Sequence, residues 1–423
     1  MPVYDLVVAG ATGFVGKLVV KYLVSHPEKP TFAIAGRSRQ RLEAFVKEFN
    51  LDQSSVGLIE VNTRDPASVQ NLVSQARVII NLAGPYHAYG AANVVKACAE
   101  SERGVGYVDL TGESFFYRDI IKYHATAKKN GSIIIPSAGF DSIPFDLSVY
   151  LGVQAYKKAV GGKTPSCLEA TMAWKIGGGI SKGTISSLAD IAEFAPNTLG
   201  PHPADLLSPI KGGRSSNPIG KLSHPALGRG AGMASPFLAH NGRIILRSAA
   251  LLERDNPDKA YGKAAKFHYH ESMTVPYVIV AYMASFILQM STLFMRLSVG
   301  RWLIRNVIPD NSGPSQRTME NGFFSSRTVV RAQQTPSRPG AASSGSSNVS
   351  DKAVLVKMGF KGDPGYLTTA KMVVEMALLI AEKEKLPESS RSGGIHTAAS
   401  VSGELVAERF TKYAGFEITT EEL

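Results

Sequence analysis

Three glycines at a spacing of three, Gly10, Gly13 and Gly16, form the first pattern in this chain that could do chemistry. They follow a nearly continuous apolar run, Val3–Ala9, which predicts a strand buried on both faces, and they precede a helical pattern, Lys17–Leu23. A side chain at either of the first two glycines would keep a pyrophosphate away from the N–H groups at the helix start. The third glycine allows close packing of helix on strand. The turn therefore predicts a dinucleotide site.

The residues after the second predicted strand indicate which dinucleotide is bound. This strand, Thr31–Ala35, is followed closely by Arg37 and Ser38. A site that selects NAD usually has an acidic residue at this strand end for the ribose hydroxyls, and none is present. These two residues, with Arg39 or Arg41 nearby, instead offer charge-assisted donors to a 2′-phosphate. NADP(H) is the predicted cofactor, although arginines at an exposed helix start would give the same pattern.

Two candidate catalytic side chains follow later strands. Tyr86 lies beyond the predicted strand Val78–Leu82, and Asp141 lies in the loop Gly139–Asp146. Tyr86 could donate a hydrogen bond or a proton, and Asp141 could orient Tyr86 or the nicotinamide carboxamide. The alternatives are that Tyr86 only packs on the nicotinamide and that Asp141 is a turn or helix-capping residue.

The alternation of strands with helices predicts an α/β protein. We expect an N-terminal Rossmann-type domain with a doubly wound parallel sheet over residues 1–150, and a second α+β substrate domain over 151–380. Ligands of such open sheets bind beyond the carboxyl ends of the strands. Four loops are therefore expected to converge on one crevice: Gly10–Gly16, Ala83–Tyr89, Asp109–Glu113 and Gly139–Asp146.

The later part of the chain contains further strand and helix patterns. Strands are predicted at Cys167–Ile176 and Gly242–Leu252, and two strand-like tracts flank a low-complexity stretch, 331–352, that we expect to be a disordered hairpin tip. The final segment, 381–423, contains a predicted helix, Val401–Tyr413, expected to pack back on the Rossmann domain.

Composition excludes some classes of protein. The 423 residues include 44% hydrophobic and 19% charged residues, which is typical of a folded protein. Two cysteines form neither a disulfide framework nor a metal site, and we predict no metal. The formal charge of +11 comes without a basic run interleaved with aromatics, so we expect no nucleic-acid partner. The N-terminus lacks a signal-peptide pattern, which favours a cytoplasmic protein.

An uncharged stretch of 24 residues, Ser272–Met295, lies within a hydrophobic segment that covers 272–308. Its length suffices to span a bilayer, but several polar residues dilute it. The tract that follows carries Arg296, Arg301 and Arg305 around a tryptophan, and apolar plus basic amphipathic segments suit attachment to a lipid surface. The segment could equally be a helix buried against the substrate domain or in a homodimer interface.

With these motifs the chain resembles the saccharopine dehydrogenase-like oxidoreductases, specifically the branch of trans-acting enoyl reductases. The matching tracts run from the first strand to the last helix: DLVVAGATGFVGKLVVKYL, AGRSRQRLE, NLAGPYHAYGAANVVKACAE, YVDLTGE, AGFDSIPFDL, GGGISKGT, GDPGYLTTAKMVVE and GGIHTAASVSGELVAERF. The resemblance implies that the pyrophosphate, the 2′-phosphate and the nicotinamide meet, in chain order, these residues: Gly10, Ala11, Thr12, Gly13, Phe14 and Gly16; Arg37 and Ser38; Ala83, Gly84 and Pro85.

The resemblance also implies an activity. We expect an NADPH-dependent oxidoreductase that reduces an enoyl or carbonyl group of a small-molecule or acyl substrate, which could be carrier-bound. The alternatives are a dinucleotide-binding protein at a lipid droplet or membrane without turnover, and an amino-acid dehydrogenase of the saccharopine type. An apolar substrate cleft would favour acyl chains, and clustered arginines would favour polar acids.

Overall fold

A computed structural model of the chain describes residues 4–52, 55–162, 165–179, 185, 188–194, 204–307, 313–333 and 352–423. Two sheets dominate the structure, each accompanied by helices. Most of the low-complexity stretch lies outside the described residues.

The first sheet is parallel throughout and has seven strands. Its strands run in the spatial order β3-β2-β1-β4-β5-β6-β14, which is the doubly wound order extended by one short strand. Their bounds are β1 (Tyr4–Ala9), β2 (Phe32–Gly36), β3 (Val56–Glu60), β4 (Ala76–Asn81), β5 (Gly106–Asp109), β6 (Ile133–Ile135) and β14 (Gly394–Ile395). The predicted Rossmann-type domain is confirmed.

The helices of this part of the chain are α1 (Phe14–Val24), α2 (Arg39–Glu48), α3 (Pro66–Gln75), α4 (Ala91–Glu100), α5 (Ser114–Ile120), α6 (His124–Lys129) and α7 (Ile143–Ala159). Those up to α6 connect strands of the first sheet, and the longer α7 leads from β6 to the second sheet. The start of α3 follows from local sequence: Asp65 caps the helix by accepting hydrogen bonds from Ala67 N and Ser68 N, and Pro66 occupies the first turn.

The second sheet is mixed and runs in the order β15-β13-β12-β7-β11-β10-β9, with β8 beside β11. Its strands are β7 (Leu168–Gly177), β8 (Arg214–Ser216), β9 (Gly220–Lys221), β10 (Ala231–Ala234), β11 (His268–Val275), β12 (Phe323–Ala332), β13 (Ala353–Lys361) and β15 (Glu417–Glu422). β12 and β13 pair antiparallel, as their strand-like patterns predicted. Helix α7 packs on both of them, which covers one face of this sheet.

The remaining helices are α8 (Leu238–Asp255), α9 (Val278–Arg296), α10 (Ser298–Val307), α11 (Gln316–Glu320), α12 (Thr369–Ala381), α13 (Glu388–Arg391) and α14 (Ala398–Arg409). The strand predicted at Gly242–Leu252 is wrong, because this tract lies inside α8. Every residue from His240 to Leu252 is buried. The adjacent isoleucines Ile244 and Ile245 favour a strand, whereas Arg243 and Arg247, four residues apart, keep the spacing of a helix.

The two sheets share the C-terminal part of the chain. Helix α12 packs against β1, β4 and β5, so the expected domain boundary at residue 380 falls within a helix that belongs to the first sheet's layer. β14 joins the first sheet, whereas β15 pairs with β13 in the second. Helix α14 contacts α7, α8 and α12. The segment 381–423 therefore contributes a strand to each of the two sheets, rather than packing on the Rossmann domain alone.

Helix α9 leaves most of its apolar side chains exposed. Only Ala281 and Ser285 of this helix are buried, where it rests on β10. The Ser285 hydroxyl accepts a hydrogen bond from Ala234 N at 2.9 Å. By length and composition alone, α9 is long and apolar enough to cross a membrane, with a mean hydropathy of 1.8 over its most apolar window, of which 11% is buried.

Candidate active site

A cavity of about 510 Å³ opens at the carboxyl ends of β1, β4, β5 and β6. The N-terminal end of α8 and the loop that begins α12 complete its walls. Most of its lining is apolar and includes Phe14, Leu82, Pro85, Leu110, Phe115, Phe140, Ile191 and Phe237. The four loops expected to converge all contribute to this wall.

The glycine turn between β1 and α1 leaves room for a pyrophosphate. Gly10 has a φ of +83°, and a Cβ there would lie 2.9 Å from Ala83 N, so only glycine fits. A Cβ at Gly16 would overlap the carbonyl oxygens of Ala11 and Gly10, whereas one at Gly13 would stay 3.3 Å from the nearest atom, Gly10 O. Gly13 is the N-cap of α1 and supplies no side-chain cap, which leaves the first N–H groups free for an anion.

The other predicted members of the turn lie in two environments. Thr12 and Phe14 are exposed, and Phe14 packs edge-on against Tyr366 with ring centroids 5.3 Å apart. Ala11 is fully buried in the core, so its side chain packs the sheet rather than facing a ligand. Phe14 and Tyr366 thus bring the GATGF and GDPGY motifs together at the cavity wall.

At the end of β2, Arg37 is exposed, and its guanidinium lies 5.6 Å from the ring centroid of Tyr89. Ser38 caps α2, because its hydroxyl accepts a hydrogen bond from Arg41 N at 3.4 Å. Arg39 instead pairs with Glu43 at 3.0 Å. Among the described residues, the structure records no ion pair for Arg37, which leaves its charge available to a 2′-phosphate.

The three residues predicted to line the nicotinamide do not all face the cavity. Gly84 and Pro85 line the cavity, whereas Ala83 lies against Gly10. Ser142, also on the wall, has a buried hydroxyl without a hydrogen-bond partner among the described residues. A cradle that admits no Cβ, an available arginine and an unsatisfied hydroxyl fit a nicotinamide dinucleotide phosphate.

Tyr86 is held by its neighbours on all polar atoms. Its hydroxyl donates to Asn81 O at 3.3 Å and accepts from Leu110 N at 3.1 Å, and its backbone N–H donates to Glu113 at 2.9 Å. Burial raises the pKa of the hydroxyl well above its usual value. The catalytic assignment of Tyr86 stays a prediction, and these contacts count against it, because its single proton is committed to Asn81 O.

Asp141 lies on the crevice wall, where its side chain is exposed to solvent. The surrounding protein nevertheless desolvates the carboxyl and raises its pKa to about 6. Asp109, at the end of β5, is completely buried, and its desolvation raises its pKa to about 7. Its carboxyl receives Thr111 N and Ser137 N, each at 2.9 Å, and so holds two loops of the site in place.

Several site residues were not identified from the sequence. His240 and Arg243 reach the cavity from the first turns of α8, Ser114 reaches it from the first residue of α5, and Ser137 reaches it from the loop after β6. Arg243 is 6% exposed, and this desolvation lowers the pKa of its guanidinium to about 10. The tract around His240 lacks a motif, and the strand predicted from Gly242 concealed its helical start. No sequence signal linked it to the cavity.

This chain is similar in sequence to known proteins. Residues 6–135 match the saccharopine dehydrogenase NADP-binding domain. A protein from Mycobacterium tuberculosis is 31% identical over 449 residues, which are 99% of this chain and 98% of that protein. The trans-acting enoyl reductase of Mycobacterium ulcerans is 30% identical over 438 residues, covering 96% of this chain and 95% of that protein. A triphenylmethane reductase structure from Citrobacter aligns with a TM-score of 0.24 and 15% identity, over 44% of this chain and 65% of that one.

Fold, cavity and domain match together define an NADP(H)-dependent oxidoreductase of the Rossmann type. The chain belongs to the saccharopine dehydrogenase-like family, in the branch that contains the trans-acting enoyl reductases. The expected family and cofactor are therefore confirmed.

Proposed function

We propose that the protein reduces an enoyl or carbonyl group of an acyl, lipid-like substrate, which could be carrier-bound. The observation that carries this proposal is the apolar lining of the cavity. Among the described lining residues, Arg243 is the single lysine or arginine. A substrate with several carboxylates would need a cluster of cations, so the lining favours acyl chains over saccharopine-type amino acids.

The residues on the wall suit the charge changes of such a reduction. The reduced nicotinamide supplies a hydride when bound. Arg243 can stabilise negative charge that develops on a thioester oxygen, because a desolvated guanidinium interacts strongly with an oxyanion. Asp141 can hold the proton needed at the neighbouring carbon, since its raised pKa of about 6 keeps a protonated fraction near neutral pH.

A spectrophotometric screen tests this function. Purified protein is mixed with NADPH and a series of enoyl thioesters of increasing chain length, and loss of NADPH absorbance is followed. We expect turnover that improves with chain length and falls at least about tenfold in Arg243→Gln. Tight NADPH binding without turnover of any enoyl, carbonyl or amino-acid substrate would instead support the dinucleotide-binding protein without turnover.

A second proposal concerns location: the protein attaches peripherally to a lipid surface from the cytoplasmic side through the hydrophobic segment 272–308. The observation behind it is the outer face of α9 and α10, where large apolar side chains are exposed: Tyr277, Ile279, Tyr282, Met283, Phe286, Ile287, Leu293 and Trp302. Such an apolar helix face, followed by arginines and carried on a chain of net charge +11, favours an anionic lipid interface.

Vesicle sedimentation tests this attachment. Phosphatidylcholine vesicles containing phosphatidylserine are mixed with wild type, with the double variant Phe286→Asp/Ile287→Asp, and with Val24→Asp, which changes an exposed valine elsewhere. We expect the double variant to lose binding at least about tenfold, because two apolar side chains that would enter the lipid are replaced by charged ones, while Val24→Asp retains it. If the wild type does not sediment with vesicles and is a dimer, whereas the double variant is a monomer, the same face is a homodimer interface.

A further inference from the structure

Three side chains and one backbone carbonyl form a continuous series of hydrogen bonds along the wall of the cavity. The Ser114 hydroxyl lies 2.9 Å from His240 Nδ1, and His240 Nε2 lies 2.9 Å from the Ser137 hydroxyl. The Ser137 hydroxyl in turn lies 2.6 Å from the backbone carbonyl of Thr111. All three side chains are buried and line the cavity.

The backbone carbonyl at one end of this series determines the direction of every hydrogen bond in it. A carbonyl oxygen can only accept a hydrogen bond, so the Ser137 hydroxyl donates its one proton to Thr111 O. Ser137 must then accept from His240, which places the imidazole proton on Nε2. A neutral imidazole protonated at Nε2 has an unprotonated Nδ1, which accepts the proton of Ser114.

The imidazole is neutral because its surroundings oppose a positive charge. Burial and the nearby Arg243 guanidinium lower the pKa of His240 to about 3. His240 therefore has no second proton to donate at neutral pH. Its role is to fix the donor-to-acceptor direction of these hydrogen bonds. Asp141 and Glu113 also line the cavity, but the hydrogen bonds of His240 go to the two serines.

We propose that Ser114 Oγ is a dedicated hydrogen-bond acceptor of the active site, which receives an N–H or O–H group of a bound ligand. Its proton is committed to His240, so the hydroxyl offers only lone pairs to the cavity. This inference rests on the proposed function. The donor has two available sources, the carboxamide of the nicotinamide and an amide N–H on the thiol arm of a thioester substrate. In this account Ser114 is a binding residue that touches the ligand, and His240 is a positioning residue that acts through Ser114.

Binding titrations with matched ligands test the inference. NADPH is compared with its analogue in which an acetyl group replaces the carboxamide and removes the N–H donor, in wild type and in Ser114→Ala. If the carboxamide is the donor, Ser114→Ala weakens NADPH binding about tenfold and leaves the analogue unchanged. Ser114→Thr, which keeps the hydroxyl, restores the preference for NADPH.

The substrate arm uses one enoyl group on two thiols, N-acetylcysteamine, which carries an amide N–H, and a simple alkyl thiol, which does not. If the substrate is the donor, Ser114→Ala raises the KM of the first thioester about tenfold with little change in kcat, and leaves the second unchanged. His240→Phe removes the acceptor of the Ser114 proton and abolishes the same discrimination. Thermal unfolding of each variant identifies any that fail to fold.

The outcomes separate the inference from the proposed function. If wild type binds NADPH and reduces the thioesters, and Ser114→Ala matches it on all four ligands, the acceptor role is overturned and the function stands. If wild type binds NADPH and reduces neither thioester, the proposed substrate class fails, and the cofactor arm alone decides the role of Ser114.

Discussion

The Glu113 carboxylate accepts the backbone N–H of Tyr86 at 2.9 Å and so ties the loop after β4 to the loop after β5. The same carboxylate also receives the backbone N–H of His87 at 3.1 Å and its Nδ1 at 2.7 Å. Glu113 is 3% exposed. Its buried charge is thus compensated by three donors from one turn, which holds that turn in place at the predicted nicotinamide side of the cavity.

Glu113→Ala should therefore loosen the Tyr86–His87 turn. We expect the free energy of unfolding to fall by about 1–3 kcal/mol, because buried N–H groups lose their acceptor. Glu100→Ala, at an exposed position, is the control and should change stability by less than about 0.5 kcal/mol. Chemical denaturation measures both, and equal stability of the two variants would contradict the role of Glu113.

Arg37→Ala should discriminate between the two nicotinamide dinucleotides. Loss of a charge-assisted contact to the 2′-phosphate is expected to weaken NADPH binding by about 10- to 100-fold and to leave NADH binding nearly unchanged. Fluorescence titration measures both affinities. Arg39→Ala provides the control, since Arg39 pairs with Glu43. An equal loss in both variants would mean that Arg37 contributes only general positive charge.

Two glycines of the cofactor turn should respond differently to alanine. At Gly13 the added Cβ meets no protein atom closer than 3.3 Å, so Gly13→Ala should fold normally and lose NADPH affinity by obstructing the pyrophosphate. At Gly16 the Cβ would overlap two carbonyl oxygens, so Gly16→Ala should lower the unfolding temperature. Differential scanning calorimetry with and without NADPH separates these effects. Full NADPH binding by a folded Gly13→Ala would refute the assignment of the turn.

The pH dependence of turnover should report on Asp141. Its carboxyl pKa is raised to about 6 by desolvation, so the protonated form is lost as the pH rises through that value. If Asp141 delivers the proton, kcat should be highest below about pH 6 and decline above it. Asp141→Asn should have a lower kcat and lack this decline. Persistence of the same decline in the variant would assign it to another group.

We expect a buried ionic cluster to stabilise the packing of the C-terminal segment on the rest of the protein. Glu375 on α12 is completely buried and accepts from His26 at 2.9 Å, Tyr22 at 2.6 Å and Arg409 at 2.9 Å. Glu375→Ala leaves buried donors without their acceptor, and we expect a loss of about 3–5 kcal/mol in unfolding free energy. Glu382→Ala, which removes a more exposed partner of Arg409 at 3.8 Å, should cost less than about 1 kcal/mol.

The N-terminal domain was predictable because its signals are local. A buried strand, a turn that requires glycine and a helix start are all written within some twenty consecutive residues, Val3–Leu23, and the structure reproduces them as β1, the cradle and α1. The same holds for the antiparallel pairing of β12 with β13, whose patterns flank one stretch of low complexity. In each case the residues that decide the conformation are neighbours in the chain.

The tract that became α8 shows where local pattern fails. Its centre contains adjacent isoleucines, Ile244 and Ile245, which favour a strand, although the tract also carries Arg243 and Arg247. Burial from all sides makes a helix equally stable there, and that burial comes from elements far away in the chain. Because the prediction of a strand was wrong, His240 and Arg243 could not be placed at the cavity.

The sequence by itself determined the dinucleotide turn, the arginine that follows β2 and the family of the chain, since each depends on residue types at short spacing. Only the tertiary structure decided the polar wall of the cavity. It brought His240 to within 2.9 Å of Ser114 and of Ser137, across more than a hundred residues of chain in each case. Contacts between such distant residues leave no periodicity in the sequence, because they depend on how α8 packs against the first sheet.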